Sequence, residues 1–143
     1  MQAVYTIHSG RETRKLGEIL AAELRGGEII CLTGELGSGK TTFTQGILKG
    51  LKTKGPYTSP TFVVMKEYGI KSHESGIKKA YHFDAYRVGV KDILDLGWEE
   101  IIANKKNVVI IEWAEKIRRI IPERAIWIKF KHKGKEIREI TIC

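Results

Sequence analysis

Residues 34–41 read GELGSGKT, and this motif is the strongest indication of the fold. It matches the phosphate-loop pattern G-x-x-x-x-G-K-[ST] at every fixed position. A continuous apolar run at residues 28–33 leads into it, and an amphipathic helical pattern over residues 40–51 leads out of it. A phosphate-binding loop requires this order of buried strand, glycine-rich turn and helix. We therefore predict a nucleotide-phosphate site here, against the alternative of a glycine-rich turn without a ligand.

Each fixed position of the loop has a physical task. Its glycines let backbone N–H groups converge on phosphate oxygens without a Cβ in the way, and the helix that follows directs the positive end of its dipole at the anion. We expect Lys40 to reach the β- and γ-phosphates and the Thr41 hydroxyl to bind Mg²⁺. The residues predicted to bind the nucleotide along this loop are Gly37, Ser38, Gly39, Lys40, Thr41 and Thr42.

Such a site also needs a carboxylate on the metal side and a group that positions the attacking water. The chain has three aspartates, of which Asp84 lies near the end of a predicted strand at residues 80–86. Glu112 directly follows the apolar run at residues 108–111, at the strand end where open α/β sheets bind ligands. We predict a functional role for both carboxylates, against the alternative of surface groups at strand ends. Which of the two acts as the base stays open.

The remaining pattern predicts a single α/β domain over residues 1–143, a common size for one compact domain. Helical periodicity covers residues 11–25, 40–51, 91–105 (broken by Gly97) and 114–121. Strand patterns cover residues 4–8, 28–33, 61–68, 80–86, 108–113, 125–131 and 136–142. We expect a three-layer P-loop sandwich with a mixed, mainly parallel central sheet and a C-terminal β-hairpin.

The composition narrows the setting of the protein. The 25 Lys and Arg residues against 17 Asp and Glu give a net charge of +8, which favours polyanionic partners, although a solvated surface of mixed charge accounts for it equally well. No apolar run approaches the ~20 residues of a membrane span, and the first residues lack a secretory pattern. Two cysteines, Cys31 and Cys143, form no disulfide framework. We expect a cytoplasmic protein without membrane association.

The sequence lacks the signature motifs of several other classes of phosphate-loop protein. None of the three aspartates begins the D-x-x-G pattern of a GTPase, and residues 104–107 read NKKN, without the final Asp that guanine recognition requires. The chain has no ABC-type signature and is too short for a helicase module. The one candidate lid, residues 69–79, contains no Arg. A small metabolite kinase and a nucleotide-binding interaction module without hydrolysis remain as alternatives to an ATPase.

Four motifs taken together resemble the TsaE (YjeE) family, the bacterial P-loop ATPases required for threonylcarbamoyladenosine modification of tRNA beside the anticodon. They are GELGSGKTTF at residues 34–43, TSPTF at 58–62, HFDAYR at 82–87 and EW at 112–113. They occur in the order and spacing of the family and extend over most of the chain. The combination is far more specific than the phosphate loop alone.

The resemblance implies an ATPase that does not modify tRNA itself. The family works with a TsaD–TsaB pair, in which TsaD carries the transferase chemistry, and its ATP hydrolysis is weak alone and stimulated by that complex. Any contact with tRNA would then be indirect or transient.

The resemblance also assigns roles to residues. Thr41 would bind Mg²⁺, with Glu112 and Asp84 on the metal side or orienting water, and Thr61 would lie in a switch-I-like loop that senses the γ-phosphate. Trp113 would lie close to the site. Residues 9–13 and the hairpin residues Gly134 and Lys135 would border the nucleotide. The residues expected to act in catalysis are Asp84, Glu112, Thr42 and Thr61.

Overall fold

The computed structural model describes residues 2–57, 64–71 and 75–143. The strands in these ranges are β1 (Ala3–Ile7), β2 (Ile29–Gly34), β3 (Met65–Gly69), β4 (Lys79–Asp84), β5 (Asn107–Glu112), β6 (Ile126–His132) and β7 (Arg138–Ile142). The helices are α1 (Gly10–Glu23), α2 (Lys40–Gly50), α3 (Val90–Leu94) and α4 (Trp98–Ala103), with a 3₁₀ helix at Ala114–Ile120. None of the helices in the described ranges is long and apolar enough to cross a membrane.

The seven strands form one mixed sheet in the order β1-β7-β6-β2-β5-β4-β3. The four central strands, from β6 to β4, run parallel, whereas β3 and the β7–β1 pair add antiparallel edges. The predicted C-terminal hairpin between β6 and β7 is confirmed, and β3 and β4 also pair antiparallel. Because the central strands are parallel, β2, β4 and β5 end at the same edge of the sheet, where ligands bind in this class of fold.

Helices cover both faces of the central strands, which confirms the three-layer arrangement. Alternation along each strand sends successive side chains to opposite faces. On one face Ile30 and Ile110 pack with apolar residues of α1 and α2. On the other face Cys31 and Ile111 pack with residues of α3, α4 and the 3₁₀ helix. Both faces of β2 and β5 are therefore buried, which explains the uninterrupted apolar runs in the sequence.

Helices α1 and α2 pack closely because glycine lies at their contact. A Cβ at Gly46 would overlap the carbonyl oxygen of Arg14, and one at Gly17 would overlap that of Phe43. Ser9 caps α1, since its side chain accepts a hydrogen bond of 3.2 Å from the Glu12 N–H. This packing fixes the N-terminus of α1 beside the phosphate loop.

The ends of some predicted elements shift for local reasons. Strand β2 begins after Glu28, because the Glu28 carboxylate accepts hydrogen bonds from the N–H groups of Arg25 and Gly26 and closes the turn. Strand β3 begins at Met65 after Val64, whose φ is 66°; residues 61–63 of the predicted strand lie outside the described residues. The predicted helix after β5 is a 3₁₀ helix with non-helical backbone at Ile117.

Candidate phosphate and metal site

The stretch at residues 34–41 joins β2 to α2, in the strand–loop–helix order that the sequence predicts. Gly34 has a φ of 139° and Gly39 a φ of 107°, backbone conformations that favour glycine. A Cβ at Gly34 would also collide with the Phe130 carbonyl oxygen, 2.5 Å away. These glycines therefore let the loop curl tightly between β6 and the start of α2.

The loop has the features of an anion cradle. Gly37 has a φ of 75°, and the space where its Cβ would stand is open, so its backbone is reachable by a ligand. The Ser38 hydroxyl is buried and has no hydrogen-bond partner among the described residues. A buried unpartnered hydroxyl is uncommon in native structures. Together with the N-terminus of α2, these features fit the phosphates of a nucleotide.

Lys40 is folded back over the loop rather than extended into solvent. Only 5% of the residue is exposed, and its ammonium donates to the carbonyl oxygens of Gly34 and Glu35. Burial lowers the pKa of Lys40 below its ordinary value of 10.5, and the negative charges of Glu115, Glu112 and Asp84 partly oppose this effect. The cation nevertheless stays close to the loop where a phosphate would arrive.

The two predicted carboxylates lie side by side on neighbouring strands. Asp84 at the end of β4 is in register with Glu112 at the end of β5, and both are buried. Both face α2, because they share the parity of Ile110, which packs on that face. The Thr41 hydroxyl donates to Glu112 Oε1 over 3.0 Å. The structure thus brings Thr41, Asp84 and Glu112 together at one sheet edge.

His82 completes the contacts of Glu112. Its Nε2 lies 2.6 Å from Glu112 Oε2, and both side chains are almost fully buried. Asp84 Oδ1 accepts a hydrogen bond of 2.9 Å from the N–H of Tyr86. The sequence motifs assign no role to His82, although a signal for one is present: His82 precedes Asp84 by two positions, so both side chains lie on the same face of β4.

Two cavities meet at the phosphate loop. One, of about 180 Å³, opens over the metal-side groups and is lined by Leu36, Gly37, Gly39, Lys40, Thr41, Thr42, Glu112 and Trp113. The other, of about 260 Å³, opens toward the N-terminus of α1 and is lined by Ser9, Gly10, Thr13, Gly37, Gly39, Thr42, Glu136 and Arg138. The shared residues Gly37, Gly39 and Thr42 form the wall between them, so one extended ligand can contact both.

The predicted border of the site is found in part. Residues 9–13 line the larger cavity through Ser9, Gly10 and Thr13. From the C-terminal hairpin the lining side chains are those of Glu136 and Arg138, and Arg138 Nη2 reaches the Gly37 carbonyl at 3.4 Å. Lys135 is exposed in the same hairpin and is not among those lining residues, so its role stays a prediction. Thr61 lies outside the described residues.

Comparison with known proteins shows which family the sequence is similar to. The family model "Threonylcarbamoyl adenosine biosynthesis protein TsaE" matches residues 7–140. The chain is 37% identical to the tRNA threonylcarbamoyladenosine biosynthesis protein TsaE of Bacillus subtilis over 91% of this chain and 78% of that protein. It is 32% identical to the protein of the same name from Treponema pallidum, over 94% of this chain and 96% of the relative.

A solved structure agrees with the sequence matches. The crystal structure of YdiB from Bacillus subtilis superposes with a TM-score of 0.77 at 30% identity, and the match covers 99% of this chain and 84% of that one. Fold and sequence thus lead to the same group of proteins, and the resemblance drawn from four motifs is confirmed. The chain belongs to the TsaE family, whose members take part in the biosynthesis of threonylcarbamoyladenosine in tRNA.

Proposed function

We propose that the chain is a Mg²⁺-dependent ATPase that assists threonylcarbamoyladenosine modification of tRNA, acting with a TsaD–TsaB pair. The observation that carries this proposal is the hydrogen bond of 3.0 Å from the Thr41 hydroxyl to Glu112. It joins the first turn of the phosphate-loop helix to a carboxylate at the end of a neighbouring parallel strand. Phosphate-loop hydrolases use this pairing of hydroxyl and carboxylate to hold a metal ion beside the phosphates.

Mg²⁺ would be held by Thr41, Glu112 and Asp84 together with phosphate oxygens. Two carboxylates and a hydroxyl are hard oxygen donors, and Mg²⁺ is usually bound through one or two carboxylates plus substrate phosphates. The residues present therefore fit the ion. When bound, Mg²⁺ supplies positive charge that stabilises the negative charge on the phosphate oxygens.

The chain's own groups would bind and orient the phosphates. Lys40 would exchange its contacts with loop carbonyls for charge-assisted bonds to phosphate oxygens, and the Ser38 hydroxyl and the loop amides would complete the cradle. Either Asp84 or Glu112 would orient the attacking water. Trp113 lines the metal-side cavity and would exclude other water from it.

The nucleoside end would occupy the larger cavity beside α1. That cavity joins the phosphate loop through Gly37, Gly39 and Thr42, so a nucleotide with its phosphates in the loop would reach it. We expect ATP to bind better than GTP with little discrimination, because the sequence lacks the NKxD element for guanine. A preference for GTP of 100-fold or more, about 2.7 kcal/mol, would contradict this expectation.

The proposal that a partner stimulates hydrolysis is supported by the rim of the site. Leu36, at the tip of the phosphate loop, is 75% exposed, and Tyr86, which packs on Trp113, is 41% exposed. Large apolar side chains at the mouth of a site are suited to contact with another protein. Docking there would place a partner surface next to the phosphates, where Thr61 is proposed to sense the γ-phosphate.

Residues 53–57, which follow α2, are anchored at several points. Gln45 Nε2 donates to the Tyr57 carbonyl over 3.0 Å, the Tyr57 hydroxyl donates to the Thr53 carbonyl over 2.6 Å, and the Tyr57 ring packs against Tyr68. These contacts hold the described part of this loop in place in the chain alone.

Single-turnover hydrolysis of MgATP tests the proposal. We expect slow hydrolysis by the chain alone and a clear rise when a purified TsaD–TsaB pair is added. Glu112→Gln should abolish the stimulated rate, whereas Glu99→Gln on the distant helix α4 should leave it unchanged. A rate on the order of 10 s⁻¹ for the chain alone, typical of a self-sufficient enzyme, with no response to the pair, would refute stimulation by a partner. Absence of ATP binding would refute the nucleotide site itself.

A further inference from the structure

His82 occupies a position in β4 that the fold would otherwise fill with an apolar side chain. Its neighbours on that face of the sheet include Ala80 in the same strand and Ile110, its register partner in β5. Only 2% of His82 is exposed. A buried imidazole without a partner would lose its hydrogen bonds to water at a cost in stability. Its partner here is Glu112, at 2.6 Å.

The two oxygens of Glu112 have different partners. Oε1 accepts the hydrogen bond from Thr41 over 3.0 Å, and Oε2 lies 2.6 Å from His82 Nε2. The last torsion of a glutamate side chain is broad, so a carboxylate held at one oxygen swings about that torsion. Contacts at both oxygens hold the plane of the carboxylate in one orientation.

The fixed orientation of the Glu112 carboxylate also orients the Thr41 hydroxyl, which donates a hydrogen bond to it. A hydroxyl group has one proton and two lone pairs. Since the proton of Thr41 points at Glu112, its lone pairs point away from Glu112 and are free to bind a cation. The contacts therefore form a chain from His82 through Glu112 to the Thr41 hydroxyl, built from β4, β5 and α2.

The imidazole of His82 is itself confined. It borders a small gap whose other lining residues in the described part of the chain are Thr41, Thr44, Gln45, Leu48 and Tyr57. Helix α2 and the start of the following loop thus hold the ring from the side opposite the sheet. A rigid second contact of this kind is how metal-binding side chains are held in productive orientation.

We propose that His82 is a positioning residue for the metal side of the site: it holds the Glu112 carboxylate in the orientation that presents the Thr41 hydroxyl to Mg²⁺. This rests on the proposed nucleotide and metal binding. His82 contacts neither phosphate nor metal in this proposal, and acts only through Glu112.

Two amide variants of different reach test the proposal. In His82→Gln the side-chain nitrogen falls near the position of Nε2, whereas in His82→Asn it falls one bond length or more short, near Nδ1. His82→Leu removes the donor altogether. Ile110→Val, on the same face and in register with His82, is the matched control, because it removes one methylene group from the same part of the core and leaves the His82 side chain unchanged.

The main measurement is ADP affinity by calorimetry, with Mg²⁺ and with EDTA. For His82→Leu and His82→Asn we expect unchanged affinity in EDTA and a loss of roughly 10- to 100-fold in the Mg²⁺-dependent gain, the range for lost outer contacts at metal sites. His82→Gln should keep most of the gain, and Ile110→Val all of it. In hydrolysis with TsaD–TsaB, the deficient variants should lose kcat with little change in KM for ATP.

The outcomes separate the inference from the proposed function. If the unmodified chain binds ADP with a Mg²⁺-dependent gain and His82→Asn keeps that gain, the positioning role is refuted while the proposed function stands. Equal losses in His82→Gln, His82→Asn and Ile110→Val would show a purely structural role and also refute it. If the unmodified chain shows no Mg²⁺-dependent gain, the proposed function fails first and the inference with it. Should His82→Leu not fold, the Gln and Asn pair decides.

Discussion

The ammonium of Lys40 lies 3.4 Å from the centroid of the Trp113 ring. A cation over an indole face is attracted by its quadrupole, by about 0.5–2 kcal/mol according to exposure. Trp113 reaches this position with a φ of 60°, a backbone conformation that is costly for a bulky side chain. Strained backbone of this kind clusters at functional sites, and here it directs the indole over the phosphate loop.

Nucleotide binding should therefore change the fluorescence of Trp113. When Lys40 turns to the phosphates, the charge above the indole is withdrawn and its emission changes. We expect a saturable change on adding ADP, measured in a fluorescence titration. Trp113→Phe should lose the change, whereas Trp127→Phe, on β6, should keep it. A change of the same size in Trp113→Phe would contradict the relationship.

Lys40→Ala should weaken ATP binding by roughly 10- to 100-fold, because charge-assisted hydrogen bonds contribute about 1.5–3 kcal/mol. Isothermal titration measures the effect. Lys49→Ala is the matched control, since Lys49 lies exposed at the far end of the same helix α2 and its removal changes the net charge equally. Unchanged affinity in a folded Lys40→Ala protein would refute the phosphate assignment.

The lowered pKa of Lys40 predicts how nucleotide affinity depends on pH. Phosphate binding requires the ammonium form, so affinity should fall as pH rises above the pKa of Lys40 in the free protein. Burial lowers that pKa below 10.5, and the fall should therefore begin at a lower pH than for an ordinary lysine. The limiting slope is tenfold per pH unit for one proton. Calorimetry between pH 7 and 10.5 tests this, with Lys40→Ala as the variant that should lose this component of the fall.

The lowered pKa of Lys40 also makes stability depend on pH, but in the opposite direction: as pH rises, nucleotide affinity should fall while the free energy of unfolding should rise. Because the folded protein disfavours the charged ammonium, Lys40 lowers the free energy of unfolding at neutral pH. This penalty is fully present below the folded-state pKa, shrinks as pH rises from that pKa toward the ordinary value of 10.5, and is absent above it.

Gly46→Ala should destabilise the protein. The added Cβ would overlap the Arg14 carbonyl oxygen in α1, and overpacking of this kind costs about 1–3 kcal/mol, against a gain of about 1 kcal/mol in helix propensity. The difference is a net loss of up to about 2 kcal/mol, and because the obstructing atom belongs to the backbone we expect a loss near that upper end in urea unfolding. Gly69→Ala, where no described residue other than the two chain neighbours lies within 4 Å of the new Cβ, should stay within about 0.5 kcal/mol. Equal stability of both variants would show that α1 and α2 are not closely packed.

Cys31 should resist thiol reagents while Cys143 reacts. Cys31 is buried in β2, and burial raises its pKa to about 12, so its thiol stays protonated, and hence unreactive, at all ordinary pH values. Cys143 is exposed. At pH 8 we expect one reactive thiol in the folded protein and two in denaturant, and none in folded Cys143→Ser. Two rapidly reacting thiols in the folded chain would contradict the position of β2.

Local sequence pattern predicts the central residues of the candidate site. Backbone preferences and hydrophobic periodicity over a few residues predict three features of the protein. These are the phosphate loop at residues 34–41, the buried strands that precede the loop and Glu112, and the helix break at Gly97. Asp84 and Glu112 are predicted to be functional because they lie at or near the ends of predicted strands, where open α/β sheets bind ligands. These features depend on backbone conformation and side-chain alternation over a few residues, which the sequence itself determines.

Only the tertiary structure decided which distant segments meet. Four features join residues that lie between 30 and more than 100 positions apart. They are the pairing of β1 with β7, the contact of His82 with Glu112, the position of Lys40 over the Trp113 ring, and the presence of Glu136 and Arg138 in the lining of the larger cavity. Such contacts depend on the order of the strands in the sheet. The strand order depends on which helices cover each apolar face of the sheet, and this packing involves residues from the whole chain. No single stretch of the sequence therefore determines it.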